Sequence, residues 1–109
     1  MVYTASVILI EQPIKFEWDR GNKDKNAIKH SVNSSECEEV FFDPGKKILA
    51  DVLHSGDEER FLLLGQTKQR RLLFIVFTLR KKKIRVISAR DTNSRERHLY
   101  ESWAQNTKT

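Results

Sequence analysis

The sequence predicts an α+β domain in which helical segments precede a β-sheet and a further helix follows it. Between residues 48 and 89 lie four apolar runs rich in β-branched and aromatic residues, the composition that strands favour. The segments on either side are polar, with a few apolar residues at helical spacing. A chain of 109 residues has room for one modest core, so we expect a single domain over residues 1–109.

The N-terminal part of the chain predicts a short strand followed by two helices. Residues 1–12 form an extension whose β-branched content favours an added strand or an ordered arm. Residues 14–18 alternate apolar and polar side chains, as a short strand does, and a polar helix is then expected over residues 20–30. A second helix is expected to begin at Ser34 or Ser35, because serine is a common N-cap residue.

Four strands are expected next, and the third is the most apolar segment of the chain. They are predicted over residues 48–53, 60–65, 72–79 and 84–89. The near-continuous apolar run of the third indicates a strand that is covered on both faces, in the interior of the sheet. The basic residues Arg80–Lys83 predict the hairpin turn into the fourth strand. Arg95–Gln105 predicts the last helix, with Leu99 and Trp103 on one face and residues 106–109 fraying.

The chain is basic, with a net charge of +5 and an isoelectric point near 9.5. Such a surface on a small domain favours a polyanionic partner, usually nucleic acid, although an acidic protein partner also fits. The single cysteine, Cys37, excludes an intramolecular disulfide and a CxxC metal site and indicates the cytoplasm. The apolar run at residues 7–10 is too short for a signal peptide, and no stretch approaches the roughly 20 apolar residues that span a bilayer.

Four motif blocks stand in order along the chain. They are FEWD at residues 16–19 with Asn26 and Lys29-His30, EEVFFDP at 38–44, DEERFLLLGQT at 57–67, and IRVISAR at 84–90 with Arg95-Glu96-Arg97 and Tyr100-Glu101. In this order and at these spacings, the blocks resemble the BrnT toxin family. Two features depart from the family pattern: Ser31 stands where the family usually has glycine, and residues 1–12 have no counterpart.

The resemblance implies a RelE-like fold with two N-terminal helices, a twisted antiparallel sheet of three to four strands and a C-terminal helix. It also implies a ribonuclease toxin that cuts RNA without a metal or other cofactor and is neutralised by a BrnA-like antitoxin. Such an antitoxin has a ribbon-helix-helix domain, so operator DNA is expected to be bound only through it. A heterotetramer of toxin and antitoxin dimers is the expected complex.

Cleavage of RNA through the 2′-hydroxyl needs a base, a cation for the phosphorane and an acid for the leaving oxygen. The resemblance suggests that arginines and lysines serve these roles, and a guanidinium suits phosphate because it binds bidentately. The predicted catalytic residues are Arg85, Arg90, His30 and Arg60. The predicted substrate-binding residues are Lys25, Lys29, Arg80, Arg95, Arg97 and Tyr100. For any single arginine, a structural ion pair with a carboxylate is the favoured interpretation, and the group as a whole favours function. The carboxylates available for such pairs are Asp57, Glu58, Glu59, Glu96 and Glu101.

Several other residues favour structural roles. Phe16 and Trp18 lie on the same face of an alternating segment, which favours core packing over base stacking. Cys37 is expected to be a small buried hydrophobe, and Asp43–Gly45 predicts a turn. For His30 a capping role at the end of the first helix competes with acid–base chemistry. The three histidines lack the spacing of metal ligands, so no metal site is predicted.

Three classes of function are compatible with the residues. The first is a ribonuclease toxin held inactive by an antitoxin. The second is a catalytically silent binding module that acts with the antitoxin in transcriptional autoregulation. The third, a regulator that binds DNA directly, is disfavoured because the sequence has no helix-turn-helix with a clear recognition helix.

Overall fold

The computed structural model describes residues 3–5, 13–25, 30–51 and 58–106. The elements are β1 Tyr3–Ala5, α1 Ser34–Val40, β2 Lys47–Asp51, β3 Arg60–Gln66, β4 Leu72–Arg80, β5 Lys83–Asp91 and α2 Ser94–Asn106. The strands form one antiparallel sheet in the order β1-β2-β3-β4-β5. The predicted α+β class is therefore confirmed. Within the described ranges, no helix is long and apolar enough to cross a membrane.

The sheet has five strands, not the three to four expected. The additional strand is β1, which pairs with residues 49–51 of β2 and confirms that the N-terminal extension adds a strand. Residues 14–18, in contrast, were wrongly predicted to form a strand. Only Phe16 bridges to Ile84, in a parallel contact along the edge of β5 that does not face β4. One bridge is too short a pairing to make a strand.

The helices ahead of the sheet also differ from the expectation of two. In the described residues α1 is the one helix assigned between β1 and β2. Of the predicted first helix, residues 20–30, residues 20–24 form turns, Lys25 and His30 are helical, and residues 26–29 lie outside the described residues. The turns suit Gly21 and Asn22, which disfavour helix.

Both described helices begin with the same four-residue cap, Asn-x-x-Glu. The Asn33 side chain accepts from the backbone N–H of Glu36, and Glu36 accepts from the backbone N–H of Asn33. Asn93 and Glu96 exchange the same two hydrogen bonds at the start of α2. The N-cap of α1 is thus Asn33, not Ser34 or Ser35, because its carboxamide oxygen reaches the third helical N–H.

The hydrophobic core lies between α1 and one face of the sheet. Its buried side chains are Val32, Cys37, Val40, Phe41, Phe61, Leu63, Leu73, Ile75, Phe77, Ile84, Val86 and Ala89. Phe16 and Trp18 pack against this cluster, as expected, and the Phe41 ring makes edge contacts with Phe16 and Phe77. Helix α1 approaches β3 closely at Gly65, where an added Cβ would lie 2.9 Å from the carbonyl oxygen of Val40.

The opposite face of the sheet is partly covered by α2. Tyr100 is buried there against Leu64, Leu72 and Phe74. Leu99, which the helical spacing placed on one face with Trp103, is 40% exposed. Tyr100 is the residue of α2 that faces the sheet, because its hydroxyl donates a hydrogen bond to Asp43 there.

The β4–β5 hairpin turns at Lys81 and Lys82, as the basic run predicted. Both residues have positive φ, 49° and 66°. Two consecutive left-handed residues form the type of two-residue turn whose twist matches that of the flanking strands. Lysine adopts this left-handed backbone conformation only at a cost in conformational energy.

Ser31 adopts a left-handed backbone with φ of 56°, directly after helical His30. Glycine adopts this conformation freely and is common after the last turn of a helix. We predict that Ser31→Gly raises the free energy of unfolding by about 0.5–1 kcal/mol, because relief of strain exceeds the added entropy of the unfolded chain. Urea unfolding followed by circular dichroism measures this change.

Ser102→Gly is the matched control, since Ser102 is an exposed residue within α2. There glycine is expected to lower stability by about 0.5 kcal/mol. An equal loss of stability in both variants would contradict the left-handed backbone conformation of Ser31.

Candidate active site

A cleft of about 230 Å³ opens at the end of the sheet where β3 begins and β4 ends. Four cationic side chains, one acidic residue and one hydroxyl residue line it together with the segment Gly21-Asn22. These side chains are Lys25, Arg60, Arg80, Arg85, Glu58 and Thr78. The cleft thus concentrates positive charge around a space large enough for a phosphate group.

Strand register brings the cleft arginines together. Thr78 of β4 lies opposite Arg60 of β3 on one side and opposite Arg85 of β5 on the other. Residues paired in this way project to the same face of a sheet, and Arg80 joins them because side chains two residues apart share a face. Their shared face is the one opposite the main core, to which Phe61, Phe77 and Val86 belong.

Arg85 is held by two carboxylates of the FEWD segment. Its Nη1 donates to Glu17 Oε1 at 2.9 Å and to Asp19 Oδ2 at 2.8 Å, and its Nη2 donates to Asp19 Oδ1 at 3.0 Å. The Arg85 side chain is only 13% exposed, whereas that of Asp19 is 54% exposed. The hydrogen bond from Arg85 and that from the Gly21 N–H hold the pKa of Asp19 below its ordinary value.

The FEWD segment reaches Arg85 because it is bound along the edge of β5. Ile84 donates its N–H to the carbonyl of Lys15, and the N–H of Glu17 donates to the carbonyl of Ile84, both at 2.8 Å. The buried Asn22 side chain then donates to the carbonyls of Glu17 and Val86, each at 3.0 Å, and accepts from the Asp19 N–H. This amide satisfies buried backbone groups and fixes the floor of the cleft.

Arg80 is shared between two carboxylates at the rim of the cleft. Its Nε donates to Glu58 Oε1 at 2.7 Å, and its Nη1 lies 3.7 Å from Glu17 Oε1. Glu17 therefore lies between Arg80 and Arg85. Nearby, Thr78 Oγ1 donates to the carbonyl of Glu59 at 2.7 Å, which ties the start of β3 to β4.

Arg90 lies at the other end of β5, under the start of α2. Its guanidinium stacks over the Phe74 ring, 4.2 Å from the ring centroid, and makes two hydrogen bonds of 2.8 and 2.9 Å with the Glu96 carboxylate. Burial raises the pKa of Glu96, but the hydrogen bonds from Arg90 and the Asn93 N–H outweigh it and leave that pKa below its ordinary value. These contacts fasten α2 to the sheet.

Arg71 forms a second junction beside the same end of β5. It makes bonds of 2.8 and 3.0 Å to Asp91, approaches Glu36 to 3.1 Å, and also donates to the carbonyls of His30 and Ser31. The hydrogen bond with Asp91 is the main reason that the Arg71 pKa is raised. One guanidinium thus connects the residues before α1, the cap of α1 and the end of the sheet.

A larger cavity, of about 560 Å³, lies at the opposite end of β3 from Arg60. It is lined by Ser35, Glu38, Glu39, Phe42, Asp43, Pro44, Gln66, Thr67 and Lys68. Three of these are acidic and one is basic, so this cavity repels a polyanion. In the described ranges, no group of three or more His, Cys, Asp or Glu residues is placed to hold a metal ion.

The family model for the ribonuclease toxin BrnT of type II toxin–antitoxin systems matches residues 18–96. The chain belongs to the BrnT family. A comparison with curated proteins gave no match. The matched range contains the cleft arginines, both capping boxes and the arginine junctions described above.

The BrnT motif blocks contact one another across the fold. The FEWD block pairs with the IRVISAR block through Asp19 and Arg85. The EEVFFDP block meets the last helix where Tyr100 donates to Asp43 Oδ2 at 2.7 Å, while the DEER block supplies Glu58 and Arg60 to the cleft. Burial and the contact with Asp43 both raise the pKa of the Tyr100 phenol.

The predicted site residues fall into two groups. Lys25, Arg60, Arg80 and Arg85 line the cleft. Arg90, Arg95, Arg97 and Tyr100 belong to the opposite end of β5 and to α2, where Arg95 and Arg97 are exposed and Tyr100 is buried. His30 lies near Asp91, whose pKa it helps to lower, and Lys29 lies outside the described residues. Cys37 is buried, as expected, and burial raises the pKa of its thiol to about 12.

The sequence did not reveal Glu17 and Asp19 as the partners of Arg85. Glu17 and Asp19 alternate with Phe16 and Trp18 along the segment. Because the aromatic side chains were expected in the core, the alternation indicates that the two carboxylates point away from it. The competing ion pairs named for Glu58 and Glu96 are present. No local sequence pattern indicates the contacts of Arg71, because its partners lie 20 to 41 residues away in sequence.

We predict that Glu96→Gln lowers stability at neutral pH by about 1–2 kcal/mol, since the variant keeps one acceptor oxygen, replaces the other with an NH2 group that cannot accept, and loses the charge paired with Arg90. The pKa of Glu96 is depressed in the folded protein, so its contribution is present above the ordinary glutamate pKa and is lost as pH falls through the depressed value. The stability difference from the parent is therefore expected to narrow between about pH 5 and pH 3. Urea unfolding across this range measures it.

Glu101→Gln is the control, because Glu101 is exposed on the same helix. The free energy of unfolding of Glu101→Gln is expected to stay within about 0.5 kcal/mol of the parent value at every pH. A Glu96→Gln difference that did not change with pH would contradict the charge pairing.

Proposed function

We propose that this chain is an endoribonuclease toxin that cuts RNA through the 2′-hydroxyl by metal-independent acid–base chemistry. The observation that carries the proposal is the cleft where Lys25, Arg60, Arg80 and Arg85 converge. Four cations around one small space suit a scissile phosphate, because the phosphorane carries more negative charge than the ground state. Membership of a ribonuclease toxin family supports the same reaction class.

In this proposal the guanidinium groups of Arg60 and Arg85 bind the non-bridging phosphate oxygens. Arg85 is already oriented by Glu17 and Asp19, so its side chain loses little freedom when substrate binds. A phosphate oxygen competes with the exposed Asp19 carboxylate for the guanidinium group of Arg85. The exposed Arg95 and Arg97, with Lys29, extend the positive field that attracts RNA and weakens with salt.

The roles first predicted for His30, Arg90 and Tyr100 stay predictions with weaker support. Arg90 is held by Glu96 and the Tyr100 hydroxyl by Asp43, so a role in binding RNA requires these contacts to open. His30 is near Asp91, at the far end of β5 from Arg85. The cleft is therefore the better supported place for the chemistry.

The partner proposed for this toxin is a BrnA-like ribbon-helix-helix antitoxin that neutralises it in the cytoplasm. Membership of a type II toxin–antitoxin family implies an antitoxin. Operator DNA is bound through the antitoxin, and a heterotetramer of two toxins and two antitoxins is the proposed assembly. The single cysteine fits a reducing compartment.

A second candidate is a catalytically silent module that keeps the fold and the antitoxin-binding surface. One observation favours it: the guanidinium groups of Arg85 and Arg90 are each engaged by carboxylates of the same chain. Such pairing is also the usual state of structural arginines. The two candidates differ in whether the purified chain cuts RNA.

We predict that the purified full chain cuts single-stranded RNA of mixed sequence in the presence of EDTA and leaves 2′,3′-cyclic phosphate ends. Arg85→Ala is expected to lower kcat/KM by about 10²–10³-fold, as loss of a donor to a transition-state anion does. Denaturing gels and mass spectrometry of the products measure rate and end groups. Arg90→Ala and His30→Ala test the remaining predicted catalytic residues in the same assay.

Lys68→Ala is the control, because it removes a positive charge from the β3–β4 turn, at the end of the sheet opposite the cleft. Its kcat/KM is expected to stay within about threefold of the parent. RNA binding without cleavage by the parent chain would support the silent module instead.

A further inference from the structure

We propose that Glu58 is the general base of this reaction, the group that removes the proton from the attacking 2′-hydroxyl. This inference rests on the proposed function and adds the proton acceptor, a role that the cationic residues cannot fill. Among the described residues that line the cleft, Glu58 is the one carboxylate. The other ionisable lining groups are Lys25, Arg60, Arg80 and Arg85.

The chemistry requires a proton acceptor that is deprotonated near neutral pH. Guanidinium groups stay protonated at every relevant pH, and an ordinary lysine is protonated as well. His30 is the imidazole that the sequence favoured, but it lies by Asp91, six residues along β5 from Arg85. At strand rise this separation is about 20 Å, too far for proton transfer within the cleft.

The position of Glu58 fits the role. Its Oε1 accepts from Arg80 Nε at 2.7 Å, which orients the carboxylate. No hydrogen bond from the described part of the chain engages its Oε2. The side chain is 44% exposed, so Oε2 is accessible to a ribose hydroxyl that enters the cleft.

Among the described residues, Glu17 and Asp19 also lie near the cleft, but they are less suited to act as the base. Both Asp19 oxygens accept from Arg85, and Oδ1 also accepts from the Gly21 N–H. Glu17 Oε1 is shared between Arg85 and Arg80. Neither residue lines the cleft, so both orient the arginines while Glu58 faces the substrate.

The reaction balances with the residues of the cleft. The O2′–H proton passes to Glu58 Oε2 as O2′ forms a bond to phosphorus. The P–O5′ bond breaks, and O5′ leaves with the bonding pair and takes a proton from the Lys25 ammonium. Arg60, Arg80 and Arg85 offset the charge of the phosphorane. Solvent then reprotonates Lys25 and removes the proton from Glu58, which leaves a 2′,3′-cyclic phosphate and a 5′-hydroxyl.

The charges around Glu58 are mostly positive. Arg80 donates to it directly, and Arg60, Arg85 and Lys25 face the same space, with Glu17 as the opposing charge beside Arg80. A carboxylate acts as a base only while it is deprotonated, so a reaction that uses one is expected to slow on the acidic side of its pH profile.

The test is the pair Glu58→Gln and Glu59→Gln in the full chain. The glutamine amide oxygen still accepts from Arg80 but cannot take a proton at neutral pH, so kcat is expected to fall by about 10²–10⁴-fold. Binding of an RNA with 2′-deoxy substitutions, which cannot be cut, is expected to change by less than threefold. Glu59→Gln is the matched control, since it removes the same charge from the neighbouring exposed residue and is expected to keep kcat within about threefold.

Two further measurements separate proton transfer from simple positioning. The acidic limb of the kcat/KM profile is expected to disappear in Glu58→Gln, and Glu58→Asp is expected to recover part of the rate because it restores a carboxylate. Loss of binding in parallel with cleavage, or an unchanged acidic limb, would assign Glu58 to holding Arg80 and overturn the inference. Full cleavage by Glu58→Gln would overturn it while leaving the ribonuclease intact, whereas a parent chain that never cuts RNA would remove the proposed function itself.

Discussion

The register of β3, β4 and β5 decides what each face of the sheet presents. Phe61, Phe77 and Val86 are paired across these strands and point into the core, while Arg60, Thr78 and Arg85 are paired one residue away and point to the opposite face. A slip of one residue exchanges the two sets, which would bury arginines and expose aromatic rings. Hydrophobic burial on one face thereby fixes the cationic cluster on the other.

An irregularity in β4–β5 preserves this arrangement along the whole hairpin. The partner of Val76 is Ser88, and the partner of Phe77 is Val86, so Ile87 is an extra residue. A bulge of this kind shifts the register by one residue. It lets Val86 and Ala89 both lie in the core although they are three residues apart, with Arg85 and Arg90 on the other face.

Three arginines in or beside the sheet join it to the parts of the chain that lie outside it. Arg85 binds the segment before the helices, Arg71, which directly precedes β4, binds the cap of α1, and Arg90 binds the cap of α2. Exposed ion pairs add little stability, but a guanidinium with several acceptors fixes orientation. The capping glutamates Glu36 and Glu96 each serve both their helix and one of these arginines, so the start of each helix is set relative to the sheet.

The two cavities differ in charge. The small cleft gathers four cations, whereas the larger cavity beside the exposed Phe42 carries Glu38, Glu39 and Asp43. A polyanion is therefore favoured at the first and disfavoured at the second. The net charge of the chain, +5, does not distinguish the two cavities.

The sequence by itself determined the α+β class, the four long strands, the basic hairpin, the last helix and the membership of a family, because apolar periodicity and local motifs are encoded within short windows. It also named Arg60, Arg80 and Arg85 as candidate site residues, but it did not separate them from Arg90 and His30. Only the tertiary structure decided that Arg90 and Tyr100 hold α2, that His30 lies apart from the cleft, and that Glu17 and Asp19 engage Arg85. These contacts join residues 6 to 68 positions apart, and their geometry follows from strand register and packing, which no local pattern specifies.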